Sequence, residues 1–228
     1  MTEGGARKGA IFDVDGTLLD SMPIWEEAPA RWLLQKGVTP CGDLAKDLFK
    51  MSLREGAAYM KESYGLAESL DEIIDGVTGV IRTYYELEVP AKPGAAGFVR
   101  ELRDRGIPML LATSSVKEYV RAALSRIGIW DCFDGIITSD EAGAGKTDPQ
   151  IYLLAARKLG LPPGDIFVFE DVIHAVRTAN RAGFITVGVY DRASEADNAA
   201  MRKECAIYLH ELTDLNGFLR NDRHGQMW

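Results

Sequence analysis

A chain of 228 residues with 46% apolar side chains is long enough for one large domain, or for a core domain with a smaller insert, around a genuine hydrophobic interior. Its 34 acidic residues outnumber 26 basic ones, and the net charge of −8 repels polyanions, which excludes nucleic acid and anionic membranes as expected partners. Cys41, Cys132 and Cys205 stand far apart without a CxxC pair, and no run approaches the ~18 apolar residues of a membrane span, so a disulfide framework and a structural zinc site are excluded and a soluble, cytoplasmic monomer is expected.

In chain order, GAIFDVD (9–15) is an apolar run closing on two aspartates and predicts the first strand. Residues 21–88 then lose the strand pattern. WEEAPARWLLQKG, LAKDLFKMS, REGAAYMKESYG and LDEIIDGVTGVIRTYYELE repeat with helical periodicity and predict about four helices, inserted between the first and second strands. PAKPG (90–94) reads as the hinge that returns the chain. Beyond it, GAAGFVRELRDRG, VKEYVRAALSRIG and PQIYLLAARKLG predict helices stopping at Gly106, Gly128 and Gly160. Between and after them lie the strands IPMLLATSS (107–115), GIITSD (135–140), DIFVFED (165–171) and FITVGVYD (184–191). Short strands buried on both faces and spaced by helices predict a Rossmann-like parallel α/β sheet with helices on both faces. Its core would be 1–20 and 89–228, and 21–88 would form a helical cap.

One stretch, GAGKT within EAGAGKTDPQ (141–150), resembles a nucleotide phosphate loop. That loop requires a glycine five positions before Gly145, where this chain has Asp140, a carboxylate that would repel phosphates. Asp148 and Pro149 read as helix cap and first helical position, which leaves Lys146 in the loop before the helix. Lys146 needs a different partner.

The strand ends supply one. FDVDGTLLD (12–20) places Asp13 and Asp15 two apart at the end of the first strand, pointing the same way if strand geometry persists. The second strand ends in Thr113-Ser114-Ser115, the third leads to Lys146, and the fourth ends in Glu170-Asp171. Parallel sheets bind ligands at this rim.

This set resembles the haloacid dehalogenase-like superfamily of aspartate-nucleophile phosphatases and phosphomutases: DVDGT, LLATSS, Lys146 in KTDP and FED (169–171) match its four motifs, and the helical insert is similar to its C1-type cap. The resemblance implies Asp13 as nucleophile, Asp15 as general acid/base, Thr113 and the Ser114 amide as phosphoryl ligands, and Lys146 as charge compensator on nucleophile and phosphate. It implies Mg²⁺ held by the Asp13 carboxylate, the Asp15 carbonyl and Asp171, with Glu170 either on the ion or just behind its ligands, and a small phosphate ester as substrate. After the acidic pair the family often has a small polar residue and then a glycine, where this chain has Val172 and Ala175. The similar β-phosphoglucomutases carry a cap histidine where Trp25 stands here; with no histidine in 21–88, a sugar-phosphate-like phosphatase is expected and a phosphomutase is the alternative. A phosphonatase would need an imine-forming cap lysine, for which Lys36, Lys46, Lys50 and Lys61 are the choices. A non-catalytic member that binds a phosphometabolite or a protein is the remaining alternative. Trp25, Glu26, Lys50, Arg54 and Tyr59 are the candidate cap residues for substrate selection, with Trp25 and Tyr59 equally suited to the cap's own core.

Overall fold

The structure, a computed structural model, describes residues 8–48, 51–213, 215 and 218. The chain divides into two compact units, Met1–Asp20 with Pro90–Trp228, and Ser21–Val89. The elements in chain order are β1 (Gly9–Phe12), α1 (Met22–Gln35), α2 (Leu44–Leu48), α3 (Leu53–Tyr64), α4 (Leu70–Leu87), α5 (Ala95–Asp104), β2 (Met109–Thr113), α6 (Lys117–Ile127), β3 (Ile136–Thr138), α7 (Ser139–Ala142), α8 (Gln150–Leu159), β4 (Ile166–Glu170), α9 (Ile173–Arg181), β5 (Ile185–Val189), α10 (Asn198–Glu204) and β6 (Ile207–Leu209).

Among the described residues the first unit is a six-stranded sheet in the order β3-β2-β1-β4-β5-β6, with every neighbouring pair parallel. The expected Rossmann-like α/β sheet is present. Alternation along the strands explains why both faces are covered. Ile11 of β1 and Val168 of β4 pack with Ile151, Tyr152 and Ala155 of α8. The intervening Phe12 and Phe169 stack on each other at 4.1 Å, and Phe169 meets Phe98 of α5 edge-on at 5.7 Å. A strand buried on both sides has no polar face, which is why these runs are continuously apolar.

The order of the strands places the site. From β1 the chain steps outward through β2 and β3, then returns to lay β4 on the other side of β1. This is the point where an open parallel sheet leaves a crevice at its carboxyl ends. The register pairs Phe12 with Phe169, so the next residues, Asp13 and Glu170, stand side by side at the end of these strands.

The second unit is α1–α4. Ser52 and Ser69 each close a capping box with the glutamate three residues on, Glu55 and Glu72, and α3 stops at Gly65 in the left-handed region, φ 61°. Ile24, Trp32 and Leu33 of α1, Met60 of α3, and Ile73, Val77, Ile81 and Tyr85 of α4 are buried. Among the described residues, no helix is long and apolar enough to cross a membrane.

Two details differ from expectation. β6 is not among the strands the sequence predicts; it is three residues at the sheet edge, with only Ile207 buried. Helix α8 begins at Gln150, because the Asp148 carboxylate accepts the Gln150 amide at 2.9 Å and holds Pro149 outside the helix as the cap residue.

Candidate active site

The rim of the first unit gathers its polar groups from four strand ends. The Asp13 amide still pairs with the Phe169 carbonyl at 3.0 Å, so the strand carries Asp13 to a fixed position before the chain turns. Leu18 and Leu19 then donate back to the Val14 carbonyl at 2.8 and 2.9 Å. Gly16, at φ +81°, makes this turn possible, and a Cβ there would run into the Asp171 carboxylate. Gly16 is required twice, by backbone conformation and by the closeness of the carboxylates that end β4.

Lys146 lies in the loop before α8, as its position ahead of the expected helix indicates. It is buried, and its ammonium donates to Asp13 and, at 2.7 Å, to Glu170 Oε1. A phosphate-loop lysine belongs within the first turn of the following helix, so this placement disposes of the nucleotide-loop reading of GAGKT. Burial opposes the Lys146 charge, but the Asp13 and Glu170 carboxylates overcome it and raise its pKa.

Burial raises the Asp13 carboxyl to about 7; Lys146 opposes that rise, and the Glu170 and Asp15 charges add to it. Burial likewise raises Asp171, reinforced by the negative charge of Asp13 and Glu170. Three buried carboxylates thus stand around one ammonium that bonds only two of them, Asp13 and Glu170. Asp13, Glu170 and Asp171 each offer an oxygen within 4.8 Å of the others, and Glu170 Oε2 and Asp171 Oδ2 are buried without a hydrogen-bond partner. Orphaned carboxylate oxygens in a buried, all-oxygen group cost several kcal/mol, on the order of the penalty for an uncompensated ion, unless a cation joins them. This donor set can hold a metal ion and suits a hard divalent one.

Asp13 and Asp15 do not share their partners. Asp15 Oδ2 accepts the Ser115 hydroxyl at 2.5 Å, outside the buried carboxylate group. Thr113 is buried and its Oγ1 accepts the Ser115 amide at 3.0 Å, while the Ser114 hydroxyl meets that of Ser139 at 2.8 Å. The second strand end therefore reaches both the first motif and the end of the third strand. At the fourth, α9 starts after half-buried Val172 with no side-chain cap, and Ala175 is buried, where the family often has a small polar residue and a glycine.

Sequence reasoning missed one member of the site. The Tyr152 hydroxyl donates to Glu170 Oε1 at 2.7 Å, the oxygen that also takes Lys146. The Thr17 hydroxyl also lies 3.5 Å from Asp171 Oδ1.

The candidate residues of 21–88 are more dispersed. Trp25 is 46% exposed near the start of α1, with Glu26 exposed beside it. Arg54 pairs with Asp71 at 3.0 Å, and the Tyr59 hydroxyl donates to Asp47 at 3.0 Å, both within the second unit. Lys50 lies outside the described residues. Of the cap lysines, Lys36 pairs with Glu68 at 2.9 Å, and Lys61 donates to the carbonyls of Leu66, Ala67 and Glu68 beyond α3.

A family model described as haloacid dehalogenase-like hydrolase matches residues 7–183. The chain is 30% identical over 212 residues to the validoxylamine A 7'-phosphate phosphatase of Streptomyces hygroscopicus subsp. limoneus, covering 91% of this chain and 95% of that protein. It is 31% identical over 217 residues to hexitol phosphatase A of Escherichia coli, covering 91% and 93% respectively. A crystal structure of a candidate β-phosphoglucomutase from Thermotoga maritima superposes with a TM-score of 0.81 at 27% identity, over 94% of this chain and 99% of that one. The chain thus belongs to the haloacid dehalogenase-like hydrolases, as a phosphoric monoester hydrolase.

Proposed function

We propose that the protein is a Mg²⁺-dependent phosphatase that hydrolyses a small phosphorylated sugar or sugar alcohol through an aspartyl-phosphate on Asp13. The observation that carries this reading is the buried Lys146 ammonium bonded to Asp13 and Glu170, beside carboxylate oxygens of Glu170 and Asp171 that have no partner. The named relatives support the class of substrate, since one is named a hexitol phosphatase and another a validoxylamine A 7'-phosphate phosphatase.

The Asp13, Glu170 and Asp171 carboxylates, with the Asp15 main-chain carbonyl, are the residues that would hold the ion. When bound, Mg²⁺ supplies positive charge that lets one anion approach another. The remaining chemistry belongs to the chain. Lys146 stabilises the ionised Asp13 carboxylate against its burial and offers a further N–H to a phosphoryl oxygen. The Thr113 hydroxyl and the Ser114 amide bind the other phosphoryl oxygens. Asp13 attacks phosphorus, its new O–P bond forming as the bond to the leaving oxygen breaks, and Asp15 gives that oxygen its proton. Asp15, now a carboxylate, takes a proton from the water that attacks the aspartyl-phosphate and releases phosphate and free Asp13. The Ser115 hydroxyl holds Asp15 in the meantime.

The test is release of nitrophenol from p-nitrophenyl phosphate. Mg²⁺ should support it, EDTA should stop it, and Asp13→Asn should abolish it in a folded protein; activity that survives Asp13→Asn removes the nucleophile from this account. A screen of hexose and hexitol phosphates then ranks substrates. Conversion of β-glucose 1-phosphate to glucose 6-phosphate, primed by a bisphosphate and without phosphate release, would replace the hydrolase by the mutase. The lack of any histidine in 21–88 argues against that outcome.

A further inference from the structure

We propose that Tyr152 is a positioning residue of the metal site: its hydroxyl fixes the Glu170 carboxylate so that Oε1 serves the protein and Oε2 is turned to the cation. The inference rests on the metal-binding reading of Asp13, Glu170 and Asp171.

The side chain belongs to the core in every respect but its tip. Tyr152 is fully buried on α8, among Ile11, Leu110 and Val168, with the Phe184 ring edge-on at 6.0 Å. Val168 faces α8, and strand alternation returns Glu170 to the same side of the sheet. The phenol therefore meets the carboxylate from below, at the place where the strand ends. A phenylalanine would fill the same space, so packing alone does not call for the oxygen. Burial and the Glu170 charge both hold the phenol in its protonated form, so it is a donor throughout the neutral range.

Its value lies in what Lys146 must also do. An ammonium has three N–H groups, and two are committed to Asp13 and Glu170. An incoming phosphoryl group competes for that ammonium, whereas it has no path to a hydroxyl directed at Glu170 from within the core. The terminal torsion of a glutamate is soft, with a broad two-fold preference. Tyr152 and Lys146 together on Oε1 stop that rotation, and Tyr152 continues to do so when Lys146 turns to substrate. The unpartnered Glu170 Oε2 is the counterpart of this arrangement. Outer groups that orient ligands in this way commonly change metal affinity about ten-fold or more.

The measurement is calorimetric titration of the metal-free full chain with Mg²⁺, and separately with Mn²⁺, in the absence of substrate. Tyr152→Phe should weaken both about ten-fold. Phe184→Leu, which loosens the packing of the same ring but leaves the hydroxyl, should lower the melting temperature and keep both affinities within about two-fold of wild type, as expected for a residue outside the ligand network. In a Glu170→Gln background, Tyr152→Phe should cause no further loss. Unchanged affinity in Tyr152→Phe, equal losses in Tyr152→Phe and Phe184→Leu, or full additivity with Glu170→Gln each overturns the proposal. If the wild-type chain binds neither ion, the metal reading itself fails and this inference falls with it, a result the first titration gives by itself.

Discussion

Lys146 stands between carboxylates that arrive on different strands, Asp13 from β1 and Glu170 from β4. Without it, two buried anions face each other. Lys146→Ala should therefore lower stability in EDTA by about 3–5 kcal/mol, the usual cost of breaking a buried pair from one side. It should also reduce kcat/KM for p-nitrophenyl phosphate by about 10²–10³, as for loss of one oriented donor to a developing anion. Urea unfolding and steady-state kinetics read the two effects separately, and near-wild-type activity in a folded variant would end the role given to Lys146. That such a lysine mattered was legible from one sequence, because the mismatch at Asp140 removed the phosphate loop and the strand ends offered an alternative. Tyr152 was not legible. In IYLLAA it reads as one more apolar position, and only the packing of α8 against β1 and β2 lets its hydroxyl reach Glu170 at the end of β4, 18 residues away. Ser115 was visible as a donor but not as the partner of Asp15, since that bond spans 100 residues and depends on the turn at Gly16.

At the level of elements, the strands that could be read were those buried on both faces, because an uninterrupted apolar run needs no partner to identify it. β6 escaped for the opposite reason: Tyr208 and Leu209 are half-buried and the strand is three residues long. The helices of 21–88 were visible through periodicity, but the closeness of α1 to α4 was not, and two glycines of α4 make it testable. A Cβ at Gly76 would strike the indole of the buried Trp32, whereas one at Gly79 meets nothing within 4 Å. Helix propensity favours alanine over glycine by about 1 kcal/mol at both places. Gly79→Ala should gain up to that amount. Gly76→Ala should instead lose about 1–3 kcal/mol, since a clash with a packed ring outweighs propensity. Thermal unfolding of the two variants, in parallel, checks the sign; a gain at both would mean that Trp32 yields without cost.

For the whole molecule, the buried carboxylate group couples folding to protons and, on the proposed metal-binding reading, to a cation as well. The Asp13 carboxyl is raised from 3.8 to about 7 by burial and neighbouring charge, and Asp171 is raised as well. An acid raised on folding binds its proton more tightly in the native state, so between about pH 4 and 7 the native state carries more protons than the unfolded one. Stability of the metal-free protein must then fall as pH rises through this window, each raised carboxyl contributing on the order of 1.4 kcal/mol for every pH unit between its unfolded and folded pKa. Lys146 does not alter the sign, because its pKa is raised from 10.5 and its contribution is constant below that value. Surface carboxylates whose pKa is lowered by their partners, Glu55 and Glu72 in their capping boxes and Glu141 in another, act in the other direction, losing their contribution only as pH falls below about 4.5. From pH 5 to 8 the buried group dominates. On the proposed function magnesium replaces the proton in this balance, and a ligand that binds only the native state adds RT ln(1 + [L]/Kd) to its stability. The melting temperature in EDTA should decline from pH 5 to pH 8, and the increase on adding Mg²⁺ should be small at pH 5 and grow to a plateau above pH 7. Scanning calorimetry at four pH values, with and without the ion, gives both curves. A Mg²⁺ effect independent of pH would place the ion away from Asp13 and Asp171, because only those raised carboxyls make metal and proton exclusive.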